Sequence, residues 1–170
     1  MMRKMTRRLM LGAILMGLAG CGGDEPPPPP PAPPPPPAPP APKIVSLTLK
    51  AAADINPSAV GLPSPVVVRI YQLAGVTAFA ETDFFRLQQD AAGALGDEMI
   101  ESEVLVMAPG AVQIYQRELG DEVRFLGITA AFRDLDAGMW RSFQPVPPAT
   151  TTLLEADISG TEVTMRKPSL

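Results

Sequence analysis

One residue in this 170-residue chain carries a thiol, and its setting says what that thiol does. Cys21 closes the string Leu18-Ala19-Gly20-Cys21, behind an uncharged apolar run from Leu9 and the four cations Arg3, Lys4, Arg7 and Arg8. A basic stretch, a short apolar stretch and small residues before a cut form a secretory signal peptide. A cysteine directly after the small residues makes the cut a lipobox. The expected chemistry is thioether formation: the thiol takes a diacylglyceryl group, residues 1–20 leave, and the freed amine of Cys21 is acylated. The apolar run falls short of the about 20 residues a spanning helix needs. Buried methylenes contribute about 0.8 kcal/mol each, and two or more chains hold stably where one does not. Gly22 stands where an inner-membrane retention signal would place aspartate, so the expected address is the inner leaflet of the outer membrane. The competing reading is an ordinary cleaved signal with an incidental cysteine.

The remaining side chains offer little other chemistry. Cys21 is the sole cysteine and histidine is absent, which removes the commonest metal ligand and general base. Neither a cofactor nor a metal is expected. Asp97, Glu98, Glu101 and Glu103 read as a solvated strand face, and neither they nor Asp134 and Asp136 beside Gly138 match a calcium loop. Removing the four leader cations leaves 10 basic against 18 acidic residues, a mature charge of -8. That balance argues against nucleic acid, which calls for a basic footprint. Catalysis would rest on carboxylates or a hydroxyl alone, so a non-enzymatic role is expected.

The elements that position these residues fall into three segments: signal peptide 1–20, lipidated cysteine and linker 21–42, and a folded domain 43–170. From Pro26 to Pro42, fourteen of seventeen residues are proline and three are alanine. Lacking N–H donors, this tract cannot join a helix or sheet. As a polyproline II rod it would reach about 50 Å. It reads as a spacer, with a ligand for a proline-binding module as the alternative.

Beyond it, alternation dominates. Val45, Leu47 and Leu49 oppose Ser46, Thr48 and Lys50, as in a half-buried strand. Val66–Leu73 is β-branched, aromatic and apolar on both faces, as in a central strand. Strands follow around Ile100–Val106, Val112–Ile114, Leu126–Phe132, Trp140–Phe143, Leu153–Ile158 and Val163–Arg166, with turns at Pro109-Gly110 and Ser159-Gly160. One helix is expected over Glu81–Gln89 behind a Thr82 or Asp83 cap, with Phe84 and Leu87 covering an end of the sandwich. The fold class is all-β, a two-sheet antiparallel β-sandwich with one inserted short helix.

Several strings in order carry a resemblance: Asn56-Pro57, the run Pro63 to Leu73, Phe79, Asp83-Phe84-Phe85, Leu95-Gly96, Pro109-Gly110, Leu126-Gly127, Ala130 to Asp134 and Trp140-Arg141. Together they are similar to the type VI secretion system outer-membrane lipoprotein family (TssJ/SciN/VasD). The long proline tract is not part of that family's pattern. The resemblance implies a transthyretin-like sandwich and a structural role in the trans-envelope complex. It implies that the lipoprotein binds the periplasmic C-terminal region of the large inner-membrane subunit (TssM) and anchors it to the outer membrane. Several copies in one complex would add avidity. It assigns partner binding to the loop between the first two strands, Ala53 to Ser64, and within it to Asp54, Ile55, Asn56, Pro57, Ser58, Val60 and Leu62.

Chemistry alone leaves two readings of that loop open. Ile55, Val60 and Leu62 sit on a stretch stiffened by Pro57 and Pro63, which lowers the entropy lost on binding. Alternatively, Ile55 and Leu62 tuck back onto the sandwich around an Asn56-Pro57 turn. Arg69 and Arg133 could meet a partner carboxylate, or pair internally with Asp134, Asp83 or Glu81. Tyr71, Phe132 and Trp140 read as core. Two rival functions stand beside the family reading: a generic envelope module for a peptide or glycan, and a carboxylate-dependent hydrolase of cell-wall glycans.

Overall fold

The computed structural model describes residues 41–136, 138–148 and 150–168. The signal peptide, Cys21 and most of the proline tract lie outside the described residues. Eight strands form: β1 Ile44–Ala51, β2 Val66–Leu73, β3 Met99–Met107, β4 Val112–Glu118, β5 Phe125–Ala130, β6 Arg141–Pro145, β7 Thr151–Ser159 and β8 Glu162–Arg166. They pair as two four-stranded sheets, β4-β1-β7-β8 and β3-β2-β5-β6. Every pairing is antiparallel except β1 with β7, which runs parallel over the whole of β1. Gly110 and Gly160, at φ +74° and +54°, make the turns that lead into β4 and β8.

Alternation places the core. Val45, Leu47 and Leu49 of β1, Val68 and Ile70 of β2, Leu126 and Ile128 of β5, and Leu154, Ala156 and Ile158 of β7 are buried between the sheets. Such a layer, with every second residue inward, is how two sheets bury their apolar faces. The edge strands β3 and β4 behave differently. Ile100, Val104, Val106, Val112 and Ile114 face outward, while Met107 and Tyr115 face the core.

A second apolar cluster lies on the outer face of the β3-β2-β5-β6 sheet. Tyr71 and Leu73 meet Phe79, Leu87, Ala91 and Leu95 from the connection between β2 and β3. That connection holds three short helices, α1 Thr77–Glu81, α2 Phe84–Gln89 and α3 Ala91–Leu95, in place of the single helix expected. The physical reason is capping: the Asp83 and Asp90 carboxylates accept from the Arg86 and Gly93 N–H groups at 3.0 and 2.8 Å, and each starts a new helix. The helices cover a sheet face, not an end of the sandwich. The second half of β2, Ile70–Leu73, is thus buried on both sides, which accounts for Tyr71 and Leu73 opposite the core residues, while Val67 on the outer face stays exposed. Gly127 of β5 permits the close approach, since a Cβ there would stand 2.9 Å from Phe79 Cζ. Trp140 packs against both clusters.

Candidate functional site

The loop between β1 and β2 is built around two buried residues. Ile55 is fully buried in the inter-sheet core and Asn56 is 4% exposed. Asn56 adopts φ +47°, a left-handed conformation that asparagine tolerates better than most residues. Its N–H donates to the Gly160 carbonyl at 2.7 Å. Its Nδ2 donates to the Pro65 carbonyl, and its Oδ1 accepts from the Arg133 N–H, both at 2.8 Å. The side chain thereby ties the loop to its own exit and to the connection after β5, and the backbone N–H ties it to the β7–β8 turn.

Above this base the tip closes on itself. The Ser58 N–H donates to the Leu62 carbonyl and the Gly61 N–H to the Ser58 carbonyl, each at 2.8 Å. The Leu62 N–H donates to Ser58 Oγ at 3.1 Å. Gly61 supplies the φ of +78° that this closure needs. The result is a hydrogen-bonded cap that leaves Val60 79% and Leu62 64% exposed.

The expected binding residues therefore divide. Asp54, Pro57, Val60 and Leu62 lie at the surface and Ser58 is half-buried, whereas Ile55 and Asn56 are inside and act by holding the loop. Of the apolar residues, Ile55 tucks onto the sandwich and Leu62 does not.

Beside the tip runs an open groove of about 700 Å³, lined by Pro57, Ala59, Phe85, Leu135 and Asp136 among others. Phe85 is 66% exposed, and its neighbour Phe84 packs edge-on against Trp140 at 5.3 Å between ring centres. Adjacent helical residues point about 100° apart, so a Phe-Phe pair on a short helix cannot bury both rings on one face. That was the signal in the sequence for Phe85, and sequence reasoning missed it.

The arginines tie the helices and the loop to the sheet. Arg69 Nη1 donates to the Leu87 carbonyl at 3.3 Å, not to a carboxylate. Arg133 is exposed and reaches the loop through its backbone N–H. Arg141 donates to the Phe79 and Thr82 carbonyls at 3.0 and 2.7 Å, across the α1–α2 break, and lies over the Trp140 ring. Burial lowers its pKa from the ordinary arginine value.

The acidic run is likewise committed. Glu98 accepts from the Ala78 and Phe79 N–H groups at the start of α1, Glu101 from Gln72, and Glu103 from Arg117. Among the described residues no group of three His, Cys, Asp or Glu is placed to hold a metal ion. None of their helices is long and apolar enough to cross a membrane.

Residues 43–163 match the model of the family described as T6SS-SciN, type VI secretion lipoprotein (VasD, EvfM, TssJ). The chain belongs to this family of type VI secretion lipoproteins. The crystal structure of the T6SS lipoprotein TssJ1 from Pseudomonas aeruginosa is similar at 33% identity and a TM-score of 0.73, over 78% of this chain and 99% of that one. A chain of a structure described as the type VI membrane complex matches at 30% identity and TM-score 0.63, over 75% of this chain and 98% of its own. Another, from a structure described as the T6SS protein TssM C-terminal domain (869-1107) from EAEC, matches at 30% identity and TM-score 0.60, over 74% and 99%. No curated protein matches. The matches take in about three quarters of this chain and almost the whole of each solved chain.

Proposed function

We propose that this lipoprotein anchors the type VI membrane complex at the outer membrane by docking the periplasmic C-terminal region of TssM. Acyl groups on Cys21 fix one end, the proline tract provides reach, and the sandwich offers the docking surface without catalysis. The observation that carries this reading is the preformed loop tip. Exposed aliphatic side chains on a loop already closed by its own hydrogen bonds lose little entropy on binding. Apolar side chains of this kind stabilise an interface through the area they remove from water. Family membership, and the relatives in structures named for the membrane complex and for the TssM C-terminal domain, support the choice of partner.

The linker joins at Lys43, and β1 then runs eight residues, about 26 Å, before the loop begins. Asp54–Leu62 thus follows the opposite end of β1 from the residue where the linker joins.

The test is solution binding between residues 43–170 and the periplasmic region of TssM from the same genome. Replacing the whole loop would remove Ile55 and Asn56 and unfold its base, so the informative variant is V60S/L62S. Saturable wild-type binding weakened tenfold or more in that variant is the expected result. A folded wild-type domain that does not bind TssM would overturn the function, and binding indifferent to V60S/L62S would overturn the site.

A further inference from the structure

The loops beside the tip carry Asp54, Asp134 and Asp136 against Arg133, and β8 opens on Glu162. Of these, Asp134, Asp136 and Arg133 line the groove beside the tip, two acids to one base, together with an apolar wall. That wall is made by Pro57, Ala59, Phe85 and the half-buried Leu135, and Asp136 in the lining is exposed. The groove's volume of about 700 Å³ is within the range of sites that hold several side chains of a ligand.

Phe85 is the feature the fold does not account for. Helix α2 packs through Leu87, which is fully buried, and through Phe84, which meets Trp140; Phe85 contributes only an edge contact to Phe84 at 5.6 Å. An exposed ring on a helix held this firmly, turned towards an open groove, is the kind of rigid aromatic anchor that interfaces use.

We propose that this groove is the second half of the TssM docking surface and that it takes an apolar side chain flanked by a lysine or arginine. The apolar group lies on Phe85, Pro57, Ala59 and Leu135, and the cation meets the carboxylate rim at Asp136. This rests on the reading that Val60 and Leu62 meet TssM. The groove is continuous with that tip, since Pro57, Ser58 and Ala59 belong to both. The acidic rim supplies long-range attraction and register more than tightness. The groove contact should therefore weaken with salt, and the tip contact should not.

The experiment measures binding of the TssM periplasmic region to residues 43–170 as wild type, F85S, D136K, V60S/L62S and a control, L153S. Leu153 is 56% exposed on β7 and belongs to neither the tip nor the groove. Thermal unfolding of each variant confirms the fold, which the exposed positions leave intact. Expected are losses of tenfold or more for F85S and D136K, no change for L153S, and a shallower salt dependence in D136K. A Lys or Arg to Glu change in TssM that restores binding only to D136K would identify the cation. Wild-type affinity in F85S and D136K alongside a loss in V60S/L62S would overturn the groove and leave the tip standing. Wild-type affinity in all three would overturn both surfaces, and no binding by the wild type would overturn the partner as well.

Discussion

At the scale of single residues, Asn56 shows how position and chemistry combine. It sits in a conformation that costs most residues energy, and its amide satisfies an acceptor and a donor on two other segments. Asn56→Ala keeps the backbone strain and leaves the Pro65 carbonyl and Arg133 N–H without partners. Each lost partner costs about 1–3 kcal/mol, so the variant should be destabilised by about 2–6 kcal/mol. Asn56→Gly relieves the strain but not the lost hydrogen bonds, and should recover only part of that. Urea midpoints of the three proteins check the order. Glu155 makes a different kind of argument. The hydrogen bond from Lys50 at 2.8 Å, helped by Arg166 at 3.0 Å, holds its carboxyl below the ordinary carboxylate value. A carboxyl lowered in the folded state stabilises above its unfolded pKa of about 4.3 and ceases to as pH falls through the folded value. Stability should therefore drop below about pH 4, with a shallower drop in Glu155→Gln. Because Lys50 and Arg166 are partly exposed and Glu155 is half-buried, added salt should shrink the difference without abolishing it. Unfolding midpoints at neutral and acid pH, with and without salt, decide it.

At the scale of elements, the fit of the helices to the sheet hangs on Gly127. Its missing Cβ leaves room for the Phe79 ring and Leu73 Cδ1, which a methyl would approach to 2.9 and 3.0 Å. Both neighbours are fully buried and cannot swing away. Gly127→Ala should cost about 1–3 kcal/mol of overpacking. It should also raise hydrogen exchange across residues 77–95 more than across β1 or β7. Uniform exchange throughout the domain would show that the helices are not a separately loosened layer. Much of this arrangement was legible beforehand. Strands with one buried face declare themselves by alternation, and β2 declared itself more central by apolar residues on both faces, Val66, Val68 and Ile70 on one and Val67, Tyr71 and Leu73 on the other. The edge strands β3 and β4 were legible as strands, yet their Val104, Val106, Val112 and Ile114 face solvent, because alternation fixes which residues share a face and not which face is covered. The three-helix layer was half legible. Asp83 was a visible cap, but Asp90 starts a helix rich in alanine with no periodicity to announce it. The parallel pairing of β1 with β7 joins segments about a hundred residues apart, and no local pattern encodes that. At the site, the loop's irregularity was plain from Pro57, Gly61 and Pro63. Which of Ile55, Val60 and Leu62 turns inward depends on a core assembled from distant strands.

At the scale of the whole molecule, the question is reach. The folded domain starts at a firm point: Lys43 is 4% exposed, and its ammonium donates to the Gly120 and Val123 carbonyls. The Leu119 N–H donates back to the Lys43 carbonyl at 2.8 Å. Tension arriving along the linker thus meets the sandwich at a pinned residue, at the opposite end of β1 from the loop Asp54–Leu62. Between that point and Cys21 stand the prolines, and two changes separate their length from their stiffness. Deleting residues 26–40 removes about 46 Å of extended chain; replacing the same residues with Gly/Ser leaves the count but a mean span of only about 20–23 Å. Neither touches the sandwich, so both purified proteins should bind the TssM periplasmic region as tightly as the unaltered mature chain. In cells the deletion should reduce recovery of TssM with the outer-membrane fraction, and the Gly/Ser tract should fall between it and wild type. Equal recovery for Gly/Ser and wild type would mean that contour length suffices and stiffness is incidental. Full recovery with the deletion would mean that the span between membrane and partner is already covered by the domain, and the prolines serve something other than distance.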